Sequence, residues 1–344
     1  MGEAVRQMRA RHGATGGVPE PRPTGQKALR IRDFRTDDYP AVARIGNAVW
    51  PDLQVTPHEL AARDRRWIGR TQRRRVVEVG GEVVGFSLAE SDGHEASGRH
   101  FRLNVAVLPA FQRHGLGAAL LAETVAWLDE RQAIVHAEVR EHQPAGRSLL
   151  ERQGFSPAAR WPVSRLDVQA FEDARFAATA ERVRAAGIQI DSLAVLRARD
   201  PGALERLHAL RWAIGQEVAG SAPAAPEPLE HFVAYFDNPS ALPDGWLVAH
   251  TAEQYLGLTT FWASAADPTR LHTGLTGVVP ALRRQGIAMA LKVAGVAYAR
   301  QRGARYIETD NEENNPMYRL NLQLGFEPQP AWLVYRRDPP VRLP

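Results

Sequence analysis

"TGVVPALRRQGIAMALK", residues 276–292, decides how this 344-residue chain is read. A short β-branched run ends at Pro280. Arg283, Arg284 and Gln285 follow, then Gly286, then an alanine-rich stretch of helical composition. A strand, a tight turn and a helix packed into so few residues leave the first backbone N–H groups of the helix without partners. Those groups, with the partial positive charge at a helix start, form an anion site. Glycine lets backbone approach a ligand closely, and arginine suits phosphate. The stretch reads as a diphosphate cradle. The alternative is a plain strand-to-helix turn that contains a glycine.

The arrangement also occurs earlier in the chain. "NVAVLPAFQRHGLGAALL" (104–121) sets Gln112, Arg113, His114, Gly115 and Gly117 where the later copy has Arg283, Arg284, Gln285, Gly286 and Ala288. Gly115 and Gly286 are 171 positions apart, and so are the glycines of "LLERQGF" (149–155) and "LNLQLGF" (320–326). Gly85 and Gly257 are 172 apart. Three landmarks in one order, spaced by 171 or 172 residues, indicate a tandem duplication.

Each copy predicts the same elements. A strand opens it (28–34; 191–198), and a helical stretch rich in arginine and tryptophan follows. A hairpin comes next (75–89, with "VGGE" as a tight turn; 245–262). Then come the strand–loop–helix unit, another strand (133–139; 305–311), a short helix and a Gly-Phe before a last strand. This is an α/β chain of two tandem domains, each a mixed, mostly antiparallel sheet flanked by helices. The expected boundaries are a disordered basic leader at 1–27, a first domain at 28–168, a connector helix at 169–187 capped by Gly187, and a second domain at 188–338.

Composition narrows the function. Apolar and charged contents of 44% and 24% are those of a soluble globular protein. No apolar run is long enough to span a bilayer, and the N-terminus has no secretory apolar region. The absence of cysteine excludes disulfides, thiolate zinc sites and cysteine nucleophiles, and suits a cytoplasmic protein. No metal is expected. The net charge of +4 resides in residues 1–30, where Arg6, Arg9, Arg11, Arg22, Lys27 and Arg30 face only Glu3 and Glu20. Glycine and proline dominate that leader, so neither nucleic acid nor membrane is expected as a partner. Lys27 and Lys292 are the only lysines.

The pattern V-x-P-x-x-Q/R-x-x-G-x-G/A, then a strand, an asparagine and a terminal Gly-Phe, resembles the GNAT superfamily of acetyl-CoA-dependent acyltransferases. The resemblance spans roughly 28–168 and 188–338 and is stronger in the second copy. It implies a sheet splayed at its centre in each domain. It implies pantetheine against Val278 and Val279, pyrophosphate on Arg283, Arg284, Gln285, Gly286, Ile287 and Ala288, and Asn314 on the cofactor. Val107, Gln112, Arg113, His114, Gly115 and Gly117 form the matching cradle of the first copy. Acetyl-CoA is then the co-substrate, and a small-molecule amine enters from the opposite face. The chain is expected to act as a monomer or homodimer.

In many members of that superfamily a tyrosine four residues before the terminal glycine is the acid, and in some a carboxylate six residues before the strand valine is the base. In the first copy these positions hold Leu150 and Phe101, with Gln143 at the asparagine position. The first domain is therefore expected to be structural, or to hold CoA without turnover. In the second copy the base position is His272, either a general base or a strand histidine facing solvent. Glu308 and Asp310 are reserve bases or ordinary strand-end carboxylates. The acid position is Asn321, which cannot deliver a proton; Tyr318, one turn earlier, is the substitute. Of Asn311, Asn314 and Asn315, one is expected to cap a helix and one to reach the cofactor. Met317 and Leu320 read as core. His208, Arg211, Trp212 and Glu217 fall where the superfamily builds its acceptor pocket, and 217–232 reads as a flexible lid. Trp246, Trp262 and Trp332 read as core or sheet face. A CoA-binding protein without turnover is the competing function.

Overall fold

The computed structural model describes residues 28–66, 70–91, 98–215, 227–265 and 267–340. The first half runs β1 (Leu29–Asp33), α1 (Tyr39–Val49), α2 (Pro57–Arg66), β2 (Gln72–Val79), β3 (Glu82–Ser91), β4 (His100–Val107), α3 (Leu116–Glu130), β5 (Ile134–Arg140), α4 (Pro144–Arg152) and β6 (Ser156–Asp167). After α5 (Ala177–Ala185) the second half runs β7 (Gln189–Ser192), α6 (Leu193–Arg199), α7 (Ala203–Gly215), α8 (Leu229–Val233), β8 (Ala241–His250), β9 (Tyr255–Ala263), β10 (Arg270–Val278), α9 (Ile287–Gln301), β11 (Tyr306–Asp310), α10 (Pro316–Gln323) and β12 (Glu327–Arg337). The expected 1–27 leader, with Lys27, lies outside the described residues, as do Glu217 and the lid up to residue 226.

The strands form one sheet in the order β1-β2-β3-β4-β5-β12-β6-β11-β10-β9-β8-β7. Only β4·β5 and β10·β11 are parallel; every other neighbouring pair is antiparallel. The order is symmetric about its middle. The last strand of each half is inserted beside the other half: β12 pairs with β5, and β6 pairs with β11. Each copy's mixed sheet is thus completed by a strand from its sibling.

Helices cover both faces. On the front, Ile45 of α1 packs with Val76, Phe86 and Ala106, and α7 packs Leu207, Leu210 and Ile214 against Trp246, Val248 and Leu258. On the back, α3 and α9 pack their apolar faces over the two halves. A Cβ added at Gly277 would lie 2.2 Å from Ile214, so glycine there lets α7 sit directly on β10.

One predicted strand is shorter than expected. Of 191–198 only Asp191 and Ser192 are strand; Ser192 caps α6, accepting from the Val195 N–H at 3.3 Å. Leu193 and Leu196, three apart, then bury together as a helix face. The connector is helical from Asp173, as a short 3-10 turn and then α5, and Gly187 follows with φ of +80°.

Candidate active site

The two loops have the same backbone. Arg113 and Gly115 have φ of +69° and +82°, and Arg284 and Gly286 have +62° and +86°. A left-handed arginine costs roughly 1–2 kcal/mol, and its recurrence at matching positions marks a backbone held for a purpose. Gly115 and Gly286 are the N-caps of 15-residue helices, and neither helix has a side-chain cap. The first-turn N–H groups therefore remain available to an anion. The side chains of Ile287 and Val278 are buried in the core, so Ile287 offers only its backbone, and Val279 is half-buried. Arg284, Gln285, Arg113 and His114 are exposed, and Ala288 and Gly117 are half-buried.

Gln112 and Arg283 do something the sequence reading missed. Gln112 Nε2 donates to the Val107 carbonyl at 2.9 Å, and Arg283 Nε donates to the Val278 carbonyl at 3.2 Å. These matching bonds pin each loop to the end of the strand before it. The two cradles differ in their surroundings. A Cβ on Gly115 would meet nothing within 4 Å, whereas one on Gly286 would lie 2.8 Å from Thr179 of α5. The connector helix walls the second cradle.

Below each cradle the sheet splays. Strands β10 and β11 pair at Arg270↔Tyr306, Leu271↔Ile307 and His272↔Glu308, and then part. Strands β4 and β5 pair from His100↔Ile134 to Leu103↔Ala137 and also part. Leu271 and Ile307 belong to the back core under α9, so alternation turns His272 and Glu308 to the front. The two candidate bases thus share the last rung before the gap, with His272 Nδ1 3.9 Å from Glu308 Oε2. Burial lowers the His272 pKa, outweighing the Glu308 charge, so the ring is neutral at neutral pH. Glu308, 5% exposed, accepts from Arg165 Nε at 2.7 Å and from Arg270 Nη1 at 3.5 Å. Its oxygens are committed, which favours His272 as the proton acceptor. Asp310 follows at the strand end; the protein mass around it and then Glu138 push its carboxyl up.

A bulge between Thr273 and Thr276 interrupts the β10·β9 ladder, whereas the β4·β3 ladder is regular. It shifts the correspondence between the copies. Phe101 was expected at the position matching His272, but Phe101 lies in the back core with α3. The last front-facing rung of the first half is Arg102↔His136, one rung before β4 and β5 part, and it is the counterpart of His272↔Glu308. The first half therefore does carry polar side chains beside its splay, and Leu150, at the acid position, is buried in the core.

A cavity of about 230 Å³ opens on the front across the seam between the halves. Asp52, Arg140 and His142 line it from the first half and Glu308 from the second, with Arg165 and Val163 of β6 between. Arg140 pairs with Asp52 and lies 3.9 Å above the Trp332 ring.

The remaining expected residues divide as follows. Asn315 caps α10, accepting from Met317 N–H at 2.9 Å, while Asn314 donates to Glu312 at 2.8 Å. Asn321 is fully buried and donates to Asn311 at 2.7 Å. Tyr318 is half-buried on α10, and no hydrogen bond joins it to His272 or Glu308 among the described residues. His208 bonds the Glu227 carbonyl at 2.7 Å and Arg211 the Glu227 carboxylate at 2.7 Å, so both serve to hold residue 227 down. Phe232 is fully buried, and the lid reading does not extend to 227–232. Trp246 is core, and Trp262 packs against the same cluster. Among the described residues no three His, Asp or Glu side chains could hold a metal, and no helix is long and apolar enough to cross a membrane.

The acetyltransferase (GNAT) family model matches residues 29–155 and 204–326. The chain belongs to the GNAT acetyltransferase family. Both matches stop just short of the exchanged strands β6 and β12. The chain is 26% identical, over 76% of its length and 83% of the relative's, to the mycothiol acetyltransferase of Amycolatopsis mediterranei (strain U-32). Two solved structures share the fold over 92% of this chain. One is a tandem GNAT protein from the clavulanic acid biosynthesis pathway (TM-score 0.67, 19% identity, all of that chain covered). The other is a GCN5-related N-acetyltransferase from Sphaerobacter thermophilus (TM-score 0.62, 22% identity, 98% of that chain covered).

Proposed function

We propose that the second half of this GNAT protein transfers an acetyl group from acetyl-CoA to the amine of a small molecule by direct attack. The observation that carries this is the His272↔Glu308 rung at the point where β10 and β11 part, below the Gly286 cradle. In this reading the backbone N–H groups after Gly286 hold the diphosphate, and the gap between the strands admits the thioester. The cavity at the seam receives the amine. His272, neutral and held beside Glu308, takes the proton the amine sheds. The first half supplies the front wall through Asp52 and Arg140, and its own cradle is a binding or structural element without turnover. The domain boundaries proposed are 28–168 and 188–338, with β6 and β12 exchanged.

Thiol release from acetyl-CoA with a panel of small amines tests this. The chain has no cysteine, so every thiol detected comes from CoA. His272→Ala is expected to lower kcat by roughly 10²–10⁴ while KM for acetyl-CoA stays level. For the wild type, kcat/KM should rise with pH through a midpoint below 6.5, because the base works only when neutral. CoA binding without thiol release from any amine would instead favour a CoA-binding role without turnover, to which the amide at Asn321 is suited.

A further inference from the structure

Lys292 is out of place. It is one of two lysines in the chain, yet it is 3% exposed on the back of the sheet, in the second turn of α9. Among the described residues its Nζ has no hydrogen-bond partner. It lies 5.6 Å from the ring of Phe326, so it points from α9 toward the segment that follows α10. Two more polar atoms of this layer are buried without partners. Thr273 Oγ1 is on β10, one residue past the last rung, and Asn321 Oδ1 is on α10. Leaving a buried amine, hydroxyl and amide oxygen unmet costs free energy at each.

We propose that Lys292 is the acid that protonates the departing sulfur, the role that Asn321 cannot fill. This rests on the transferase reading above. The two lie on opposite sides of the sheet: His272 faces the front at the last rung before the gap, and Lys292 reaches from α9 on the back toward Phe326. His272 accepts the amine proton as the C–N bond forms. Lys292, as the ammonium ion, gives a proton to the sulfur as the C–S bond breaks and its electron pair leaves on sulfur. The cycle closes when His272 releases its proton to water and the neutral lysine takes one up. Burial lowers the Lys292 pKa to about 7, which suits proton donation to a thiolate near neutral pH. No charged side chain is paired with it among the described residues.

The test uses the full chain labelled with ¹³C-lysine, in which Lys27→Arg assigns the two signals. Lys292 is titrated alone, with CoA and with desulfo-CoA, and binding of both is confirmed by calorimetry. CoA should raise the Lys292 midpoint by about one unit over desulfo-CoA, because only CoA offers the ammonium a sulfur atom to hydrogen-bond, which favours its charged form. Equal curves with the two ligands overturn the proposal and leave the transferase reading standing. Failure of CoA to bind overturns both. In turnover, Lys292→Met should lower kcat roughly 10²-fold with KM for acetyl-CoA level, and should abolish the fall in rate above pH 7. An unchanged alkaline limb, or acetylated Lys292 in mass spectra after incubation with acetyl-CoA, overturns the assignment.

Discussion

Lys292 and His272 are both held away from their ordinary protonation, and burial is the main cause at each. For Lys292 this has a consequence for folding. Its pKa is about 7 in the folded chain and 10.5 when solvated. Between those values the unfolded chain binds a proton that the folded chain does not, so the contribution of this group to stability rises with pH from 7 to 10.5. At pH 7 and below, most of the cost of burying the charge is present. Lys292→Met removes that cost. The variant should be more stable than wild type at pH 7, and the gap should narrow by about 2 kcal/mol on going to pH 9. Denaturant unfolding at the two pH values checks this. A variant that folds better while turning over worse would identify burial retained for function. The sequence contained the signal for this residue: Lys292 shares a helical stripe with Ala288 and Val296, an odd place for one of two lysines.

The strand–loop–helix unit was the most legible element, because the left-handed φ of its glycine is a local requirement that few other residues meet. Gly286→Ala should cost roughly 1–2 kcal/mol in backbone strain. Its Cβ would also meet Thr179 of α5 at 2.8 Å. Gly115→Ala carries the same strain with no neighbour to displace. The Gly286 variant is expected to show the larger fall in melting temperature and the larger loss of CoA affinity, read by calorimetry on the two variants side by side. The bulge in β10 was not legible, although Gly274 and Gly277 in one strand hinted at it. Bulged and regular strands share one alternating pattern until the extra residue is placed by its neighbours. A slip of one position turns every side chain to the other face. Phe101 was therefore matched to His272, when Arg102 occupies that place.

At the scale of the molecule, exchange of β6 and β12 makes the two halves interdependent. Tyr335 of β12 is buried in the first half's back core, and Leu166 of β6 in that of the second. A chain cut at 187/188 would leave each half with an unpaired central edge and an exposed apolar strand. Fragments 28–187 and 188–340 are expected to be insoluble or disordered alone and to form a 1:1 complex when co-expressed, as read by size exclusion and circular dichroism. A monomeric, cooperatively folded fragment would contradict this. The cavity at the seam has the same origin, since it exists only because Asp52 and Arg140 of one half meet Glu308 of the other. Duplication, sheet type and the two glycine loops followed from sequence, because spacing and backbone preference are properties of neighbouring residues; His272 was singled out only by the family resemblance, with Glu308 in reserve. The swapped strands, the face on which His272 emerges, the anchoring of 227–232 and the lack of a hydrogen-bond partner for Lys292 among the described residues were decided by tertiary structure. Each depends on which segment lies alongside, from 16 residues away for Arg211 and Glu227 to 143 for Arg165 and Glu308, and such pairing leaves no mark in local periodicity.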